Sequence, residues 1–157
     1  MRPVARGAAW VVIALTLVAA FEGFARHPYI DRVGTGQPVT YCYGATAADG
    51  PLPPLDRTFT KEACQAILAK DLVKYDNYVH GCIHVALPPH REAALVSFVY
   101  NLGPGALCRS AMARKINHGD IAGGCRVMLS YDHARGRVLA GLTRRRRAEY
   151  QMCLRDD

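Results

Sequence analysis

The sequence lacks the features that would indicate several domains. Its 157 residues contain no long low-complexity tract, no internal repeat and no segment typical of an interdomain linker. A chain of this length can bury a sizeable core as one domain, and a second full domain would not fit. Half of the residues are apolar and 21% are charged, which indicates a folded globular protein and excludes a disordered one.

The six cysteines include no Cys-x-x-Cys pair, which argues against a zinc ribbon and a thioredoxin-like motif. They are dispersed along the chain, and an even, dispersed set forms disulfides in oxidising compartments. The cysteines therefore indicate export, with buried free thiols in a cytosolic protein as the alternative. They are Cys42, Cys64, Cys82, Cys108, Cys125 and Cys153.

The N-terminus lacks an apolar run long enough for a permanent membrane anchor. Arg2 and Arg6 precede an apolar stretch over residues 7–21 that only Thr16 interrupts, which is the layout of an export signal. As a helix this stretch spans roughly 22 Å, against roughly 30 Å for the hydrocarbon core of a bilayer. We therefore expect Sec export and a transient contact with the inner membrane through residues 7–21.

The sequence allows three interpretations of this segment. We expect residues 1–20 to form a signal anchor that tethers the chain to the inner membrane, facing the periplasm, before its release into the periplasm. Val18 and Ala20 also fit the small-residue spacing of a signal-peptidase site, so cleavage after Ala20 is an alternative. A core helix of a cytosolic protein is the third interpretation. In a signal anchor, Glu22 would lie at the membrane surface, away from any folded site.

Acidic residues are the scarcer charged class, since 20 Lys and Arg oppose 13 Asp and Glu for a formal charge of +7. This balance favours an anionic partner, such as nucleic acid, anionic lipid or bacterial cell wall. The export signal and dispersed cysteines argue against nucleic acid. The basic run at residues 144–147 lies inside a helical pattern, so we expect a solvated helix face that attracts the anionic wall at low salt.

The rest of the chain predicts an α+β fold, with a small β-hairpin lobe before a larger helical lobe. Residues 27–46 are rich in strand and turn formers and predict hairpins, and residues 47–57 predict a loop. Thr60 is the N-cap candidate of one helix, and an apolar face over residues 88–103 predicts the central core helix. Further helices are expected near residues 106–116, 120–131 and 142–154.

Two carboxylates, Glu22 and Asp31, lie at the junction between the apolar segment and the predicted hairpins. Glycoside hydrolysis needs one carboxyl that stays protonated and one that stays ionised. Glu22 lies between Phe21 and Phe24, and apolar surroundings favour the protonated form. Asp31 is the better candidate for the ionised partner. Two carboxylates at this spacing are common in proteins, so the pair alone is a weak signal.

Seven short motifs lie in a characteristic order along residues 21–153. They are Phe-Glu-Gly at 21–23, Tyr-Ile-Asp-Arg-Val-Gly at 29–34, Thr-Tyr-Cys-Tyr-Gly at 40–44, Ser-Phe-Val-Tyr-Asn-Leu-Gly at 97–103 with Gly105, Leu-Cys-Arg-Ser at 107–110, Lys-Ile-Asn-His-Gly-Asp at 115–120, and Gly141-Leu142 with Arg144, Arg145 and Glu149. Together they resemble phage-type lysozymes, glycoside hydrolase family 24, and specifically the endolysins of lambdoid-like phages that are exported by a releasable signal anchor.

The resemblance implies a lysozyme-like catalytic domain over residues 21–157 that acts on peptidoglycan and lyses the host cell. Members of this family are chiefly inverting muramidases, which hydrolyse the beta-1,4 bond between N-acetylmuramic acid and N-acetylglucosamine. By this resemblance Glu22 would be the general acid, while Asp31 and Thr40 would position the attacking water. No cofactor is implied, and a monomer is expected.

One departure from the family concerns the segment between Asp31 and Thr40, which is longer than in the best-known members. The extra length makes Thr35 a competing candidate for the catalytic hydroxyl. Thr40 is favoured because Cys42 and Gly44 follow it in the family's pattern.

The resemblance also implies three disulfides, which pair Cys42 with Cys64, Cys82 with Cys108, and Cys125 with Cys153. From the residues alone, six cysteines allow fifteen connectivities. No cysteine lies in the apolar N-terminal segment, so disulfide exchange with that segment is excluded as an activation switch.

Two polar features have competing interpretations. Asn101 ends the predicted core helix, where its side chain would either bind an acetamido group of the substrate or cap the helix. His80, Cys82 and His84 alternate as on a strand and offer no clear fourth ligand, so we expect a solvated connector and no metal site.

Two other functions fit the composition. A lytic transglycosylase uses one glutamate and forms an anhydro product, and Asp31 and Thr40 argue against it because that reaction excludes the water they would hold. A non-catalytic exported protein, either a wall-binding module or an inhibitor, would keep its effect when Glu22 is replaced.

Overall fold

The structure, a computed structural model, describes residues 9–33 and 36–157. Within these ranges it contains seven α-helices, one 3-10 helix and two antiparallel two-stranded sheets, so the predicted α+β class is confirmed. The elements are α1 (Ala9–Glu22), β1 (Ala25–Ile30), β2 (Val39–Cys42), α2 (Lys61–Cys82), α3 (Pro89–Leu102), α4 (Pro104–Cys108), α5 (Ala111–Asn117), α6 (Ile121–Arg126), the 3-10 helix (Val127–Ser130), β3 (His133–Ala134), β4 (Arg137–Val138) and α7 (Ala140–Cys153).

The described residues form two compact units. One comprises residues 15–72 and holds the β1–β2 hairpin, and the other comprises residues 9–14 with 73–157 and holds α3 to α7. The unit boundaries fall inside α1 and α2. The predicted boundary at residue 20 separates an anchor from a catalytic domain and stays a prediction.

Helix α1 covers most of the apolar N-terminal stretch and ends at Glu22. Its buried side chains are Trp10, Ala14, Leu17 and Val18, which share one helix face, whereas Val12 is 65% exposed. The helix therefore packs by one face. Among the residues that the structure describes, no helix is long and apolar enough to cross a membrane.

Strands β1 and β2 form the predicted hairpin. Tyr29 pairs with Thr40 and Ile30 with Val39, and an irregularity between Ala25 and Tyr29 shifts the register. Past the strands, the Asp31 N–H donates to the Pro38 carbonyl at 2.9 Å. The loop over residues 47–57 is also confirmed. Gly34 and Thr35 lie outside the described residues.

The two longest predicted helices are confirmed. The Thr60 hydroxyl accepts a hydrogen bond from the Ala63 N–H at 3.1 Å, so Thr60 caps α2 as expected. Helix α3 begins after Pro88 and is buried from Arg91 to Val99, which makes it the core helix of its unit. Gly103 ends it by donating its N–H to the Val99 carbonyl.

The helix expected near residues 142–154 is confirmed as α7, whereas the predictions for the other two were less accurate. The helix expected near residues 106–116 is two short helices, α4 and α5, because Ser110 starts a new helix by accepting from the Met112 N–H. The helix expected near residues 120–131 is α6 followed by the 3-10 helix. The β3–β4 hairpin at residues 133–138 was not predicted, because its strands have two residues each.

A buried ion cluster lies at the centre of the larger unit, between α3 and α7. The Glu149 carboxylate is fully buried and faces Arg145 at 3.1 Å and Arg146 at 2.9 Å. The Ser97 hydroxyl donates to Glu149 Oε1 at 2.7 Å. Burial raises the pKa of Glu149, and the guanidiniums of Arg146 and Arg145 oppose this shift.

This cluster corrects the prediction of a solvated face at residues 144–147 in part, since Arg144 and Arg147 are exposed and the two arginines between them are not. Arg145 and Arg146 are 4% and 0% exposed, because both turn inward toward Glu149. A run of four arginines predicts a surface feature, because a buried arginine pair is rare unless a carboxylate accompanies it.

All six cysteines form disulfides, in the pairing that the resemblance implied. Cys42–Cys64 joins β2 to α2, Cys82–Cys108 joins α2 to α4, and Cys125–Cys153 joins α6 to α7. Each bond lies within one compact unit. Each restricts the unfolded chain, which stabilises the fold by roughly 2–4 kcal/mol.

We expect Glu149→Gln to destabilise the protein by about 3–5 kcal/mol, because it leaves two buried guanidiniums without a counter-charge. The melting temperature should fall by about 10 °C. Glu62→Gln is the matched control, since Glu62 is exposed in the first turn of α2. Calorimetry of both variants decides, and equal melting temperatures would show that the cluster does not stabilise the fold.

Candidate active site

The first predicted site residue, Glu22, is the last residue of α1. Gly23 follows with φ of +72°, a left-handed backbone conformation that residues other than glycine rarely adopt. The chain therefore turns sharply out of the helix and enters β1 at Ala25. Glu22 is half-buried at this turn. The junction fixes the backbone from which its carboxylate projects.

The Glu22 carboxylate lies against Gly44. A Cβ atom at residue 44 would be 2.9 Å from Glu22 Oε2, closer than Cβ atoms approach other groups. Gly44 also has φ of +83°. Any side chain at residue 44 would thus both strain the backbone and displace the carboxylate. The glycine in the predicted Thr-Tyr-Cys-Tyr-Gly motif therefore has a positional role that the sequence did not reveal.

The turn that carries Gly44 is fixed by backbone and covalent contacts. Tyr41 and Ala45 exchange two backbone hydrogen bonds of 3.0 and 2.9 Å. The Cys42–Cys64 disulfide ties the same segment to α2. The Tyr43 ring also packs against Phe24, with ring centroids 5.6 Å apart. The position of Gly44 is thus held from several sides within residues 15–72.

Asp31 and Thr40 lie at the same end of the β1–β2 hairpin. Thr40 pairs with Tyr29, two residues before Asp31, and its side chain is buried at 6% exposure. Its hydroxyl donates to the Pro38 carbonyl at 3.4 Å, and that carbonyl also accepts from the Asp31 N–H. One carbonyl therefore links the two predicted residues.

The Asp31 carboxylate is oriented by its own turn. Its Oδ1 accepts a hydrogen bond from the Val33 N–H at 2.9 Å. This hydrogen bond fixes the direction in which the carboxylate projects from the turn.

An aromatic layer supports the base of the hairpin. Tyr41 is buried and stacks on Phe59, with centroids 5.4 Å apart, and the Phe59 N–H donates to the Arg26 carbonyl of β1. Burial raises the pKa of Tyr41, and the nearby charges of Asp71 and Asp49 raise it further. The Tyr41 hydroxyl therefore stays neutral at physiological pH.

Asn101 belongs to the larger unit, and its side chain has a structural contact. Its Oδ1 accepts from Arg146 Nη2 at 2.7 Å, which ties the end of α3 to the buried ion cluster. The expected capping role is taken by the backbone, since Gly103 caps α3 through its own N–H. Binding of a substrate acetamido group by Asn101 stays a prediction.

Comparison with known proteins identifies the family of this chain. The phage lysozyme family profile matches residues 19–149. A SAR-endolysin of Bacteriophage PS119 is 40% identical over 133 residues, which are 85% of this chain and 76% of the relative. A SAR-endolysin of Enterobacteria phage PA-2 is 39% identical over 133 residues, covering 85% of this chain and 77% of the relative.

Solved structures show the same fold. The muramidase domain of SpmX from Asticaccaulis excentricus superposes with a TM-score of 0.79 at 27% identity, covering 90% of this chain and 95% of that chain. The endolysin from Escherichia coli O157:H7 phage FAHEc1 also has a TM-score of 0.79 at 27% identity, covering 90% of each chain. The lysozyme-like fold expected from the sequence is confirmed, and the chain belongs to the phage lysozyme family.

Proposed function

We propose that this chain is a hydrolytic muramidase that uses Glu22, Asp31 and Thr40 to cleave between N-acetylmuramic acid and N-acetylglucosamine. At the coarser level, its family and relatives make it an endolysin that hydrolyses peptidoglycan and causes host cell lysis. The observation that carries the finer proposal is the Glu22 carboxylate held against Gly44, beside a hairpin that bears Asp31 and Thr40.

The proposed reaction assigns one role to each residue. Glu22 donates its proton to the glycosidic oxygen as the bond to the anomeric carbon breaks. Asp31 and Thr40 hold a water on the opposite face of the sugar, and Asp31 takes its proton as the water attacks. The product has a new reducing end of inverted configuration. None of these steps requires a metal or an organic cofactor.

Two further features suit the enzyme to its substrate. The formal charge of +7 attracts the anionic wall, and this attraction weakens as salt screens it. The three disulfides suit a protein that works in the periplasm. We propose that the active species is a monomer, in which one chain supplies all three catalytic residues.

We also propose that the apolar segment first holds the chain at the inner membrane and that the chain is then released intact. The relatives named SAR-endolysins support this route. Helix α1 buries only one face in the fold, and its exposed face includes Val12 and Thr16. A segment shorter than the hydrocarbon core binds a bilayer weakly enough to leave it. Packing against the folded protein then replaces the lipid contact.

Peptidoglycan digestion by the full-length oxidised chain, with mass spectrometry of the fragments, tests the reaction. We expect reducing hydrolysis products, and we expect Glu22→Gln to lower kcat about a thousandfold or more by removing the acid. Glu62→Gln, an exposed control, should retain full activity. Anhydro products would identify a transglycosylase. No products from a folded parent chain would favour a binding module.

Gly44→Ala should lower kcat by about 10- to 100-fold, because the added Cβ displaces the Glu22 carboxylate. Gly119→Ala is the matched control, since Gly119 has φ of +86° but no heavy atom within 4 Å of an added Cβ. Both variants should lose similar stability from backbone strain. Steady-state kinetics and thermal unfolding of the pair separate the effects, and an equal kcat in both would remove the positioning role from Gly44.

Membrane release is tested by mass spectrometry of membrane and periplasmic fractions during expression. An intact Met1 N-terminus in both fractions is expected, and a chain that starts at Phe21 would contradict the signal anchor. Val12→Ser should reduce the membrane-bound fraction and Thr16→Leu should increase it, since both positions are exposed in the fold and each changes lipid contact. Unchanged fractions in both variants would argue against lipid binding by this segment.

A further inference from the structure

A cluster of potential metal ligands lies on two helices of the larger unit, outside the residues proposed for catalysis. Asp76 and His80 are one turn apart on α2, and Glu92 lies near the start of α3. One ligand atom from each lies within 4.8 Å of the other two. Nothing in the muramidase reaction uses these side chains.

This cluster differs from the trio of His80, Cys82 and His84, for which the sequence predicts no metal site. His80, Cys82 and His84 were read as alternating positions of a connector strand, which is wrong because α2 continues to Cys82. Cys82 is bonded to Cys108 and has no thiolate to offer. The helix instead brings Asp76 onto the same face as His80, at the i, i+4 spacing.

His80 Nε2 faces both carboxylates of the cluster. His80 Nε2 is 2.7 Å from Glu92 Oε1 and 3.4 Å from Asp76 Oδ1. An imidazole nitrogen carries one hydrogen at most, so it donates fully to only one of the two. Both carboxylates are mostly buried, at 15% and 10% exposure of their side chains. Their repulsion across one nitrogen is therefore poorly screened by water.

A divalent ion at this point would bind all three side chains. We propose that Asp76, His80 and Glu92 form a structural zinc site that ties α2 to α3. One imidazole nitrogen and two carboxylate oxygens are ligands that zinc accepts, with bonds of about 2.0–2.2 Å. Tetrahedral ligands at that distance are about 3.3 Å apart. His80 and Asp76 already have this separation, at 3.4 Å, whereas Glu92, at 2.7 Å from His80, would move away by roughly 0.6 Å to admit the ion.

The ion would neutralise both carboxylates and replace the shared proton. His80 is 22% exposed, so solvent can supply water as the fourth ligand. Zinc is favoured over magnesium because magnesium prefers oxygen ligands and keeps most of its own waters. The proposed role is stabilisation of the helix pair, so occupancy raises the melting temperature and the catalytic residues do not depend on it.

Titration of the untagged, oxidised full-length chain with zinc chloride tests the site by calorimetry and thermal unfolding. We expect one zinc per chain, and a rise of about 5 °C or more in melting temperature once free zinc exceeds the Kd a hundredfold. Magnesium chloride should cause no rise. Absence of saturable zinc binding by the folded parent would overturn the proposal, whatever the variants do.

Variants assign the binding to these residues. Glu92→Gln and Asp76→Asn keep side-chain size and should weaken zinc binding at least about tenfold, with loss of the zinc-dependent rise. His133→Gln is the matched control, because it removes another histidine–carboxylate pair, His133 and Asp132 at 2.6 Å, that belongs to no three-ligand group among the described residues. Equal zinc affinity in Glu92→Gln and the parent would overturn the assignment.

Discussion

The candidate site depends on one constraint, which is that residue 44 is a glycine and has no Cβ atom. Glu22 leaves α1 at the tight turn through Gly23, and its carboxylate occupies space that any Cβ at residue 44 would take. The turn that carries Gly44 is in turn held by the Cys42–Cys64 disulfide. An exported enzyme gains from this arrangement, because a covalent bond and a backbone contact fix the proposed general acid without a large core around it.

In the larger unit, the helices pack around a buried charged centre. Glu149 holds Arg145 and Arg146 inward, and Arg146 extends the network to Asn101 at the end of α3. Such a network is costly to break because each partner would leave a buried charge behind. The proposed zinc site would add a second, independent tie, between α2 and α3. In both places, charge on helix faces fixes the position of α3 within the unit.

Much of the fold was predictable because its signals are local. Thr60, Pro88 and Gly103 mark helix ends by capping and backbone chemistry that acts within a few residues. The break at Ser110 and the two-residue strands of β3 and β4 were missed, since their signals are short. The burial of Arg145 and Arg146 was not predicted, because it depends on their pairing with the Glu149 carboxylate one turn away. The sequence of the charge run does not show that pairing. For the site, the family resemblance supplied the residues, while the contact between Glu22 and Gly44 required three dimensions.

In the proposed reaction, water attacks the sugar face opposite Glu22. The most direct test is proton NMR of the anomeric signals during the first turnovers of the full-length chain on soluble peptidoglycan fragments, before mutarotation. The α-anomer at the new reducing end should appear first, because direct attack by water inverts the β bond. Initial appearance of the β-anomer, or of an anhydro sugar without a reducing end, would contradict the roles proposed for Asp31 and Thr40.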